Sequence, residues 1–482
     1  FFLTVLTIGC ILAWGVLQMA RGVMLLGMSQ WLKKQLAPRL FHISMRRNAR
    51  DASSTNGSQL QRDLSDLERF IQNPMNMVLD APWSILFFFA LFLLHPLIGL
   101  IAAGGAVALL FLAFLNELLT RQLMKETQNQ FSRSVHYVEG SASSGQTAFA
   151  HGMMRTLIER WRKMAALAIR TERLGNRRHV ILTNATKTFR FCLQITVTCV
   201  GTVLALNQQM SVGGIIAGSI LMGKALQPFD AAMGLWQSFI SARDALGRIN
   251  ETLLQEEAVA APGVELPKPS GKLDVDALLY IPEGQRAPLI GGVSFKLPAG
   301  SVLALIGPSA SGKTTLGKLL IGLWGATSGS VRLDGAEIDQ WDRERLGDHI
   351  GYLPQDPHFF DGTIGENIAR MNPEFRSEEV IAAAQFAGAH DMILSLPQGY
   401  ETPITKVPLS GGQKQRIGLA RAFYRQPSLI LLDEPNANLD LEGDRALKQA
   451  LVWAQSVGIT TIVISHRSSI LDVVSHVLIL KE

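Results

Sequence analysis

The sequence predicts a fold in two parts, an α-helical transmembrane region followed by an α/β domain built on a parallel sheet. Hydrophobic residues make up 48% of the 482 residues, and the mean hydropathy of +0.20 is too high for an ordinary soluble protein. The long apolar runs all lie in the first half of the chain. The second half carries most of the acidic residues and alternates short apolar strands with helical stretches, a pattern typical of a parallel sheet covered by helices.

The first half contains five apolar segments long enough to cross a membrane. A bilayer core about 30 Å thick needs about 20 helical residues, and residues 1–20 have that length. Residues 83–115 are too long for one span, and His95–Pro96 divides them into a hairpin of two spans. Residues 188–206 and 211–228 form a second hairpin around a short polar tip.

The segments between the hairpins are long, polar and basic, above all residues 121–190. Basic loops stay on the cytoplasmic side of a membrane, so both hairpin tips are predicted outside the cell. With this orientation, a sixth span is expected before residue 1. Residues 58–73 and 152–174 have helical periodicity and are expected to extend the spans into the cytoplasm, whereas residues 51–58 are expected to form a loop.

Several residues of this half have simple structural interpretations. Arg21 and Lys224 lie at or near span ends, where snorkelling to the interface explains them better than a role in binding substrate. Gly214 and Gly218 form a small-xxx-small pair that could allow close helix packing, although a generic glycine-rich helix explains them equally well. The three cysteines lie in apolar stretches without metal-ligand spacing, so they are interpreted as lipid-facing or core residues: Cys10, Cys192 and Cys199.

The second half opens with a phosphate-binding signal. The strand at residues 301–306 runs into GPSASGKT, which has the P-loop spacing from Gly307 to Lys313 and Thr314. Glycines in such a loop let backbone N–H groups point at phosphate oxygens, and the following helix N-terminus adds a favourable dipole. Lys313 supplies a cation for the phosphates, and the Thr314 hydroxyl can bind Mg²⁺.

Two further motifs accompany the P-loop. The apolar strand in SLILLDEP (428–435) delivers Asp433 and Glu434 to the sheet edge where α/β proteins bind ligands, with Asp433 suited to hold Mg²⁺ and Glu434 suited to act as general base. In LSGGQKQR, Ser410 and two glycines precede a helix and form a second anion-binding N-terminus. Because one nucleotide does not need two such sites from one chain, the second is expected to serve a partner chain.

GPSASGKT, LSGGQ, LILLDE and the isolated His466 together resemble the ATP-binding cassette family from about residue 272 to 482, and the first half resembles the six-helix exporter arrangement without its first helix. The resemblance implies that ATP and Mg²⁺ bind, with Glu434 and His466 catalytic and Thr314, Gln355 and Asp433 at the metal. It also implies the nucleotide-binding set Tyr280, Gly307, Ser309, Ser311, Gly312, Lys313, Thr314, Thr315, Gln355, Ser410, Gly411, Gly412, Gln413 and Asp440. Within that set Tyr280 would stack on adenine, Gln355 would belong to the Q-loop, and Asp440 would belong to the D-loop.

The domain boundaries follow from these motifs. Residues 1–250 are predicted to form the transmembrane domain, residues 251–271 a linker rich in Pro, Gly and charge, and residues 272–482 the cassette domain. Two departures from the family pattern are noted. Residues 399–412 are shorter and poorer in glycine than is usual before the signature, and the chain stops after VLIL, where the family is expected to continue.

Within the family, DAPW (80–83), AGSILMGKALQPFD (217–230) and DEPNANLD (433–440) resemble the ATPase and permease subunit of bacterial type I secretion systems, in particular the protease-exporter branch. That resemblance implies a homodimer in the bacterial inner membrane with its cassette domain in the cytoplasm. It also implies export of polypeptides alongside a periplasmic adaptor and an outer-membrane channel.

Three alternatives share parts of this pattern. An exporter of lipid, drug or glycan would use the same ATP-binding motifs, and a heterodimeric half-transporter would too. A cassette ATPase of translation or DNA repair would lack membrane spans, so the five apolar segments count against it. The net charge of +5 does not favour nucleic-acid binding, since much of the Lys/Arg excess lies beside the apolar runs.

Overall fold

The computed structural model describes residues 2–50, 57–259, 266–282 and 284–481. It contains two compact units, and the main division between them lies between Gln255 and Glu256. The first unit is built of helices, and the second contains two β-sheets with surrounding helices.

The described residues of the first unit form long helices joined by short turns. These helices are α1 (Phe2–Arg50), α2 (Gly57–Gln72), α3 (Pro74–Leu94), α4 (Pro96–Ser143), α5 (Gly145–Ala150), α6 (Met154–Leu206) and α7 (Val212–Val259). Five apolar helical stretches are long enough to cross a membrane, as predicted: Thr4–Arg47, Gln59–Leu94, Pro96–Asn116, Met154–Leu206 and Val212–Phe229. Helix α6 has 53 residues, so at 1.5 Å per residue it is about 80 Å long and continues well beyond a bilayer core of about 30 Å.

The predicted break at His95 and Pro96 is confirmed. His95 has extended backbone angles, φ −165° and ψ 133°, and separates α3 from α4. The helical region is disfavoured for a residue before proline, whereas proline itself fits the first position of a helix, so this dipeptide favours the end of one helix and the start of the next. The His95 Nδ1 atom accepts a hydrogen bond of 3.2 Å from the Leu97 N–H and caps α4.

Of the two glycines in the predicted packing pair, only Gly218 lies against other helices. A Cβ atom at Gly218 would lie 3.3 Å from Leu94 of α3 and 3.9 Å from Val197 of α6, whereas one at Gly214 would meet Met210 in the turn just before α7. Of this pair, only Gly218 therefore supports close packing, beside the cluster of buried residues shared by α3, α4, α6 and α7.

Ion pairs that the sequence analysis missed connect distant parts of the first unit. Arg21 of α1 binds Asp80 of α3 through two hydrogen bonds of 2.5 and 3.2 Å, a partner that the sequence analysis did not predict. Arg248 of α7 holds Asp63 of α2, which is fully buried, through bonds of 2.7 and 3.0 Å. A buried carboxylate without such a partner would be strongly disfavoured. The Lys224 ammonium lies 5.2 Å from the centre of the Trp14 ring.

The predicted loop, the predicted linker and the three cysteines can each be compared with the described residues. The loop expected at 51–58 lies mostly outside the described residues, and its last two positions, Gly57 and Ser58, already belong to α2. The predicted linker at 251–271 begins as helix, since α7 continues to Val259. Its residues 260–265 lie outside the described part. The three cysteines are exposed in this chain, which agrees with the lipid-facing alternative.

The second unit contains an antiparallel and a parallel sheet. Its strands are β1 (Leu273–Tyr280), β2 (Ile290–Leu297), β3 (Val302–Ile306), β4 (Ser328–Leu333), β5 (Ala336–Glu337), β6 (Ile350–Leu353), β7 (Leu429–Asp433), β8 (Thr460–Ile464) and β9 (His476–Ile479). Its helices are α8 (Lys313–Leu320), α9 (Arg343–His349), α10 (Ile364–Ile368), α11 (Ser377–Phe386), α12 (His390–Leu394), α13 (Gly411–Phe423) and α14 (Leu441–Ser456).

The strand order of the parallel sheet positions the predicted site. The antiparallel sheet has the order β2-β1-β4-β5 and the parallel sheet the order β6-β7-β8-β3-β9. Strands β7, β8 and β3 are neighbours, and all their pairings are parallel. Their carboxyl ends, which lead to Glu434, His466 and Gly307, therefore lie side by side at one edge of the sheet, where ligands bind in this class of fold.

One partly buried arginine ties the short helix α10 to the end of α13. Arg370 donates hydrogen bonds to the backbone oxygens of Arg421, Ala422 and Tyr424 at 3.3, 3.4 and 3.5 Å, and to Gly347 O at 2.7 Å. The last carbonyl groups of a helix have no partner within the helix, and a cation there also opposes the helix dipole favourably. Burial lowers the pKa of Arg370 to about 10, so the guanidinium stays charged at neutral pH.

Candidate nucleotide-binding site

The predicted P-loop is a turn between β3 and α8 that only glycine can form at two places. Gly312 has φ +86° and ends the turn directly before Lys313, the first residue of α8. A Cβ atom at Gly307 would lie 2.5 Å from the backbone oxygen of Leu480, too close for any side chain. The loop therefore brings its backbone N–H groups to the start of a helix, the arrangement that binds phosphate.

Two side chains of the loop fit a polyphosphate. The Lys313 Nζ atom turns back over the loop and donates to Pro308 O at 2.6 Å and Gly307 O at 3.0 Å. The Ser311 Oγ atom is buried and has no hydrogen-bond partner. A buried hydroxyl without a partner is costly unless a ligand completes it. A cation and a free hydroxyl beside a helix N-terminus together fit the phosphates of a nucleotide.

Asp433 and Thr314 meet at the edge of the sheet. The Thr314 Oγ1 hydroxyl donates to Asp433 Oδ1 at 3.2 Å, and Asp433 is 2% exposed at the end of β7. Burial raises the pKa of the Asp433 carboxyl. No cluster of three His, Cys, Asp or Glu residues occurs in the described part of the chain. A hydroxyl and one carboxylate suit Mg²⁺, which keeps several waters and takes its other ligands from substrate phosphates.

Glu434 contacts two other predicted site residues. The Gln355 Nε2 amide donates to Glu434 Oε2 at 3.2 Å, and His466 Nε2 lies 3.4 Å from Glu434 Oε1. Gln355 thus contacts Glu434 rather than Asp433, and its role at the metal remains a prediction. Glu434 has φ +49°, a strained conformation for a residue with a side chain. Strain of this kind is concentrated at functional sites, which supports a chemical role for this carboxylate.

The signature motif forms a separate cleft. Ser410 caps α13: its Oγ accepts from Gln413 N at 3.2 Å while Gln413 Oε1 accepts from Ser410 N at 2.8 Å. The side chain and the backbone N–H of Gln413 are therefore both hydrogen-bonded to Ser410. The backbone N–H groups of Gly411 and Gly412 are the ones that can donate to a ligand. A cleft of about 530 Å³ opens here. Its lining contains no P-loop residue and consists of Met392, Ser410, Gly411, Gly412, Gln413, Arg416, Asn438, Leu439 and Asp440.

The remaining predicted site residues lie around the P-loop. Tyr280 ends β1, and its ring stacks on Trp324 with centroids 5.7 Å apart and an angle of 27°, so one ring face is already covered. Ser309 is exposed in the loop, and Thr315 is buried in the first turn of α8. Trp324 was missed by the sequence analysis. The only signal for it was its position just after the helix that follows the P-loop.

Replacing Asp433 with Asn is expected to stabilise the nucleotide-free protein while abolishing its Mg²⁺-dependent activity. The raised pKa means that folding disfavours the ionised carboxyl. This cost is absent below the ordinary pKa of 3.8 and develops as the pH rises above it, through the raised pKa of the folded protein. Asparagine removes the charge and still accepts from Thr314. Intrinsic fluorescence of the full chain in detergent should give an unfolding temperature about 2–4 °C higher, the effect of about 1 kcal/mol in a domain of this size.

The matched control for this prediction is Asp276→Asn, which neutralises an exposed aspartate on β1 and should leave the unfolding temperature unchanged. An Asp433→Asn protein that melts at a lower temperature than the parent would mean that the ionised carboxylate is well compensated in the fold.

Comparison with known proteins agrees with this geometry. The family model described as ABC transporter matches residues 290–437, and the model described as ABC transporter transmembrane region matches residues 1–229. The type I secretion system ATP-binding protein PrsD of Rhizobium meliloti is 38% identical over 476 residues, which cover 97% of this chain and 81% of PrsD. The chain belongs to the ABC transporter family.

Two further relatives match over smaller shares of their length. The cyclolysin secretion/processing ATP-binding protein CyaB of Bordetella pertussis is 28% identical over 85% of this chain and 58% of its own length. The colicin V secretion/processing protein CvaB of Escherichia coli is 30% identical over 74% of this chain and 51% of its own length. The chain therefore spans little more than half of these two relatives.

A solved structure confirms the fold. The structure of a bacterial Atm1-family ABC exporter with ATP bound superposes with a TM-score of 0.84 and covers 99% of this chain and 87% of that exporter, at 21% sequence identity. The predicted fold class, the resemblance to type I secretion ATP-binding proteins and the ATPase coupled to transport are thus confirmed. The ABC transporter is a membrane protein that binds ATP and drives export.

Proposed function

We propose that this ABC transporter exports polypeptides across the bacterial inner membrane as a homodimer in a type I secretion system. The observation that supports the cargo is the 38% identity to PrsD over 97% of the chain. Residues 1–250 would form the membrane pathway, and residues 272–482 the ATPase domain on the cytoplasmic side. A periplasmic adaptor and an outer-membrane channel would complete the route, as the resemblance to type I secretion implies.

The two anion-binding helix ends support a dimer with shared ATP sites. The P-loop of one chain already supplies a helix N-terminus, a lysine and a hydroxyl for one nucleotide. The signature cleft contributes another helix N-terminus at Gly411 and Gly412, and no P-loop residue lines it. Each chain would therefore place its signature helix on the nucleotide bound by the P-loop of the other, so that two chains complete two sites.

Within each site, different side chains of this chain would bind the phosphates, hold the metal ion and activate the attacking water. Lys313 and the loop N–H groups would hold the phosphates. The Ser311 hydroxyl would donate a hydrogen bond to a phosphate oxygen. Mg²⁺, held by Thr314 and Asp433, would neutralise charge on the phosphates. Glu434 would accept a proton from the attacking water, His466 would orient the carboxylate, and Gln355 would hold its second oxygen.

Export would follow from closing and opening of the dimer. ATP bound between P-loop and signature favours the closed dimer, and hydrolysis removes that bridge. Closure of this kind would switch the membrane pathway from inward- to outward-facing, because a ligand shifts a conformational equilibrium towards the state that it binds more tightly.

The cargo proposal predicts a signal-dependent ATPase. The purified full chain in lipid should change its rate of ATP hydrolysis at least twofold when a polypeptide with a C-terminal secretion signal is added. The same polypeptide without the signal is the control and should have no effect. A response to lipids or small amphiphiles instead of polypeptides would leave the ATPase in place and point to an exporter of lipid, drug or glycan.

A further inference from the structure

One buried glutamine connects the signature helix to the proposed general base. Gln415 lies on α13, one turn after the glycines of the signature, and is 1% exposed. Its Nε2 amide donates a hydrogen bond of 3.3 Å to the backbone oxygen of Glu434. The same oxygen also accepts from Ala437 N at 3.1 Å. The Gln415 amide therefore holds the backbone of Glu434 at the point where φ is +49°.

The segment from Glu434 to Asp440 touches α13 at two further points. A Cβ atom at Gly412 would lie 2.8 Å from the backbone oxygen of Asn438, so glycine lets this loop lie directly on the helix N-terminus. Arg416 binds Asp440 Oδ1 at 2.6 Å. Contacts at the helix start, at Gln415 and at Arg416 make the loop and the first turns of α13 one packed unit.

The bond from Gln415 is kept at a cost in stability. The Gln415 Oε1 atom is buried and has no hydrogen-bond partner. The amide cannot simply be turned over, because that would place two oxygens together. A buried acceptor without a partner lowers stability, and a residue other than glycine held at a positive φ angle adds backbone strain. An unsatisfied polar atom and a strained backbone at one contact are typical of a site that serves function rather than stability.

We propose that Gln415 is a positioning residue that makes hydrolysis at one ATP site depend on nucleotide at the other. This inference rests on the proposed dimer with shared sites. The N-terminus of α13 would touch the nucleotide on the partner's P-loop, while Gln415 of the same helix holds Glu434 beside the nucleotide on its own P-loop. When the nucleotide on the partner's P-loop binds the start of α13, the position of that helix changes. Through Gln415 this change also moves the Glu434 backbone at the chain's own nucleotide site.

The test replaces Gln415 with Met, which keeps length and volume but removes the amide. The kcat of the full chain for ATP is expected to fall about tenfold, within the range that small misplacements of catalytic groups cost. The KM for ATP should stay within about twofold, because the phosphate-binding groups are unchanged. The Hill coefficient for ATP should fall from above 1 to 1. Gln415→Asn, whose amide is too short to reach, should behave in the same way.

The unfolding temperature separates positioning from folding. Because Met removes an unsatisfied buried oxygen, the Gln415→Met protein should unfold at the parent's temperature or above. Gln455→Met, on the exposed face of α14, is the matched control and should change neither kinetics nor stability. A Gln415→Met protein that melts at a lower temperature than the parent, or that keeps the parent's kcat and Hill coefficient, overturns the proposal.

The failure of this inference can be told from failure of the proposed function. A parent protein that hydrolyses ATP with a Hill coefficient of 1 has no coupling between its sites, which overturns the role of Gln415 and leaves the ATPase intact. A parent protein that does not hydrolyse ATP in lipid overturns both.

Discussion

Replacing Glu434 with Gln is expected to stop steady ATP hydrolysis and leave ATP binding intact. The amide cannot accept a proton from the attacking water, and loss of a general base typically costs about 10²–10⁴-fold in rate. The substitution keeps the size and shape of the side chain. A glutamine oxygen can still accept a hydrogen bond from Gln355 Nε2, which lies 3.2 Å from Glu434 Oε2 in the parent protein. The NH2 group of the glutamine can donate to His466 Nε2, which lies 3.4 Å from Glu434 Oε1 in the parent protein. Phosphate release at saturating ATP measures the first expectation, and equilibrium binding of a fluorescent ATP analogue measures the second.

The control for this experiment is Glu442→Gln on the exposed first turn of α14, which should hydrolyse ATP like the parent. Unchanged hydrolysis by the Glu434→Gln protein would remove Glu434 from the proposed chemistry. Loss of ATP binding together with hydrolysis would instead assign Glu434 to holding the nucleotide.

The second large effect is expected on stability, at Arg370. Replacing Arg370 with Met keeps the apolar stem but leaves the backbone oxygens at the end of α13 without their donor. Buried carbonyls without partners and a lost helix cap add up to about 3 kcal/mol, which lowers the unfolding temperature by about 6–12 °C in a domain of this size. Thermal unfolding of the full chain, followed by tryptophan fluorescence, measures this shift.

Two further variants sharpen the test of Arg370. Arg370→Lys retains the charge but cannot reach several oxygens from one planar group, so its loss should be intermediate. Arg376→Met removes an exposed arginine before α11 and should leave the unfolding temperature unchanged. If Arg370→Met unfolds like the parent, water replaces the guanidinium at the helix end and the cap contributes little.

The features that the sequence analysis missed have a common physical origin. The ion pair of Arg21 was not predicted because its partner Asp80 lies far along the chain, on another helix. The end of α7 looked like linker because residues 255–271 lack a sustained apolar period, yet the helix continues to Val259. Periodicity shows whether a segment has an apolar face. It does not show which polar side chain of another helix meets it, nor how far a helix continues past its apolar part.

Local signals determined much of this protein. Spans follow from the length of apolar runs, the hairpin from the conformational limits of a residue before proline, and the P-loop from glycine spacing between a strand and a helix. The acids Asp433 and Glu434 follow a buried strand, so their place at the sheet edge could be predicted too. Each of these features depends on residues close together in the sequence, and elementary chain geometry is enough to predict it.

Tertiary structure alone decided how these parts meet. The strand order β6-β7-β8-β3 brings Gln355, Glu434 and His466 together beside the P-loop, and no local pattern specifies that order. The bonds from Gln415 to Glu434 and from Arg248 to Asp63 likewise join residues far apart in the chain. Such pairs are selected by the free energy of burying polar groups with partners, which depends on the packed fold as a whole and cannot be read from either segment by itself.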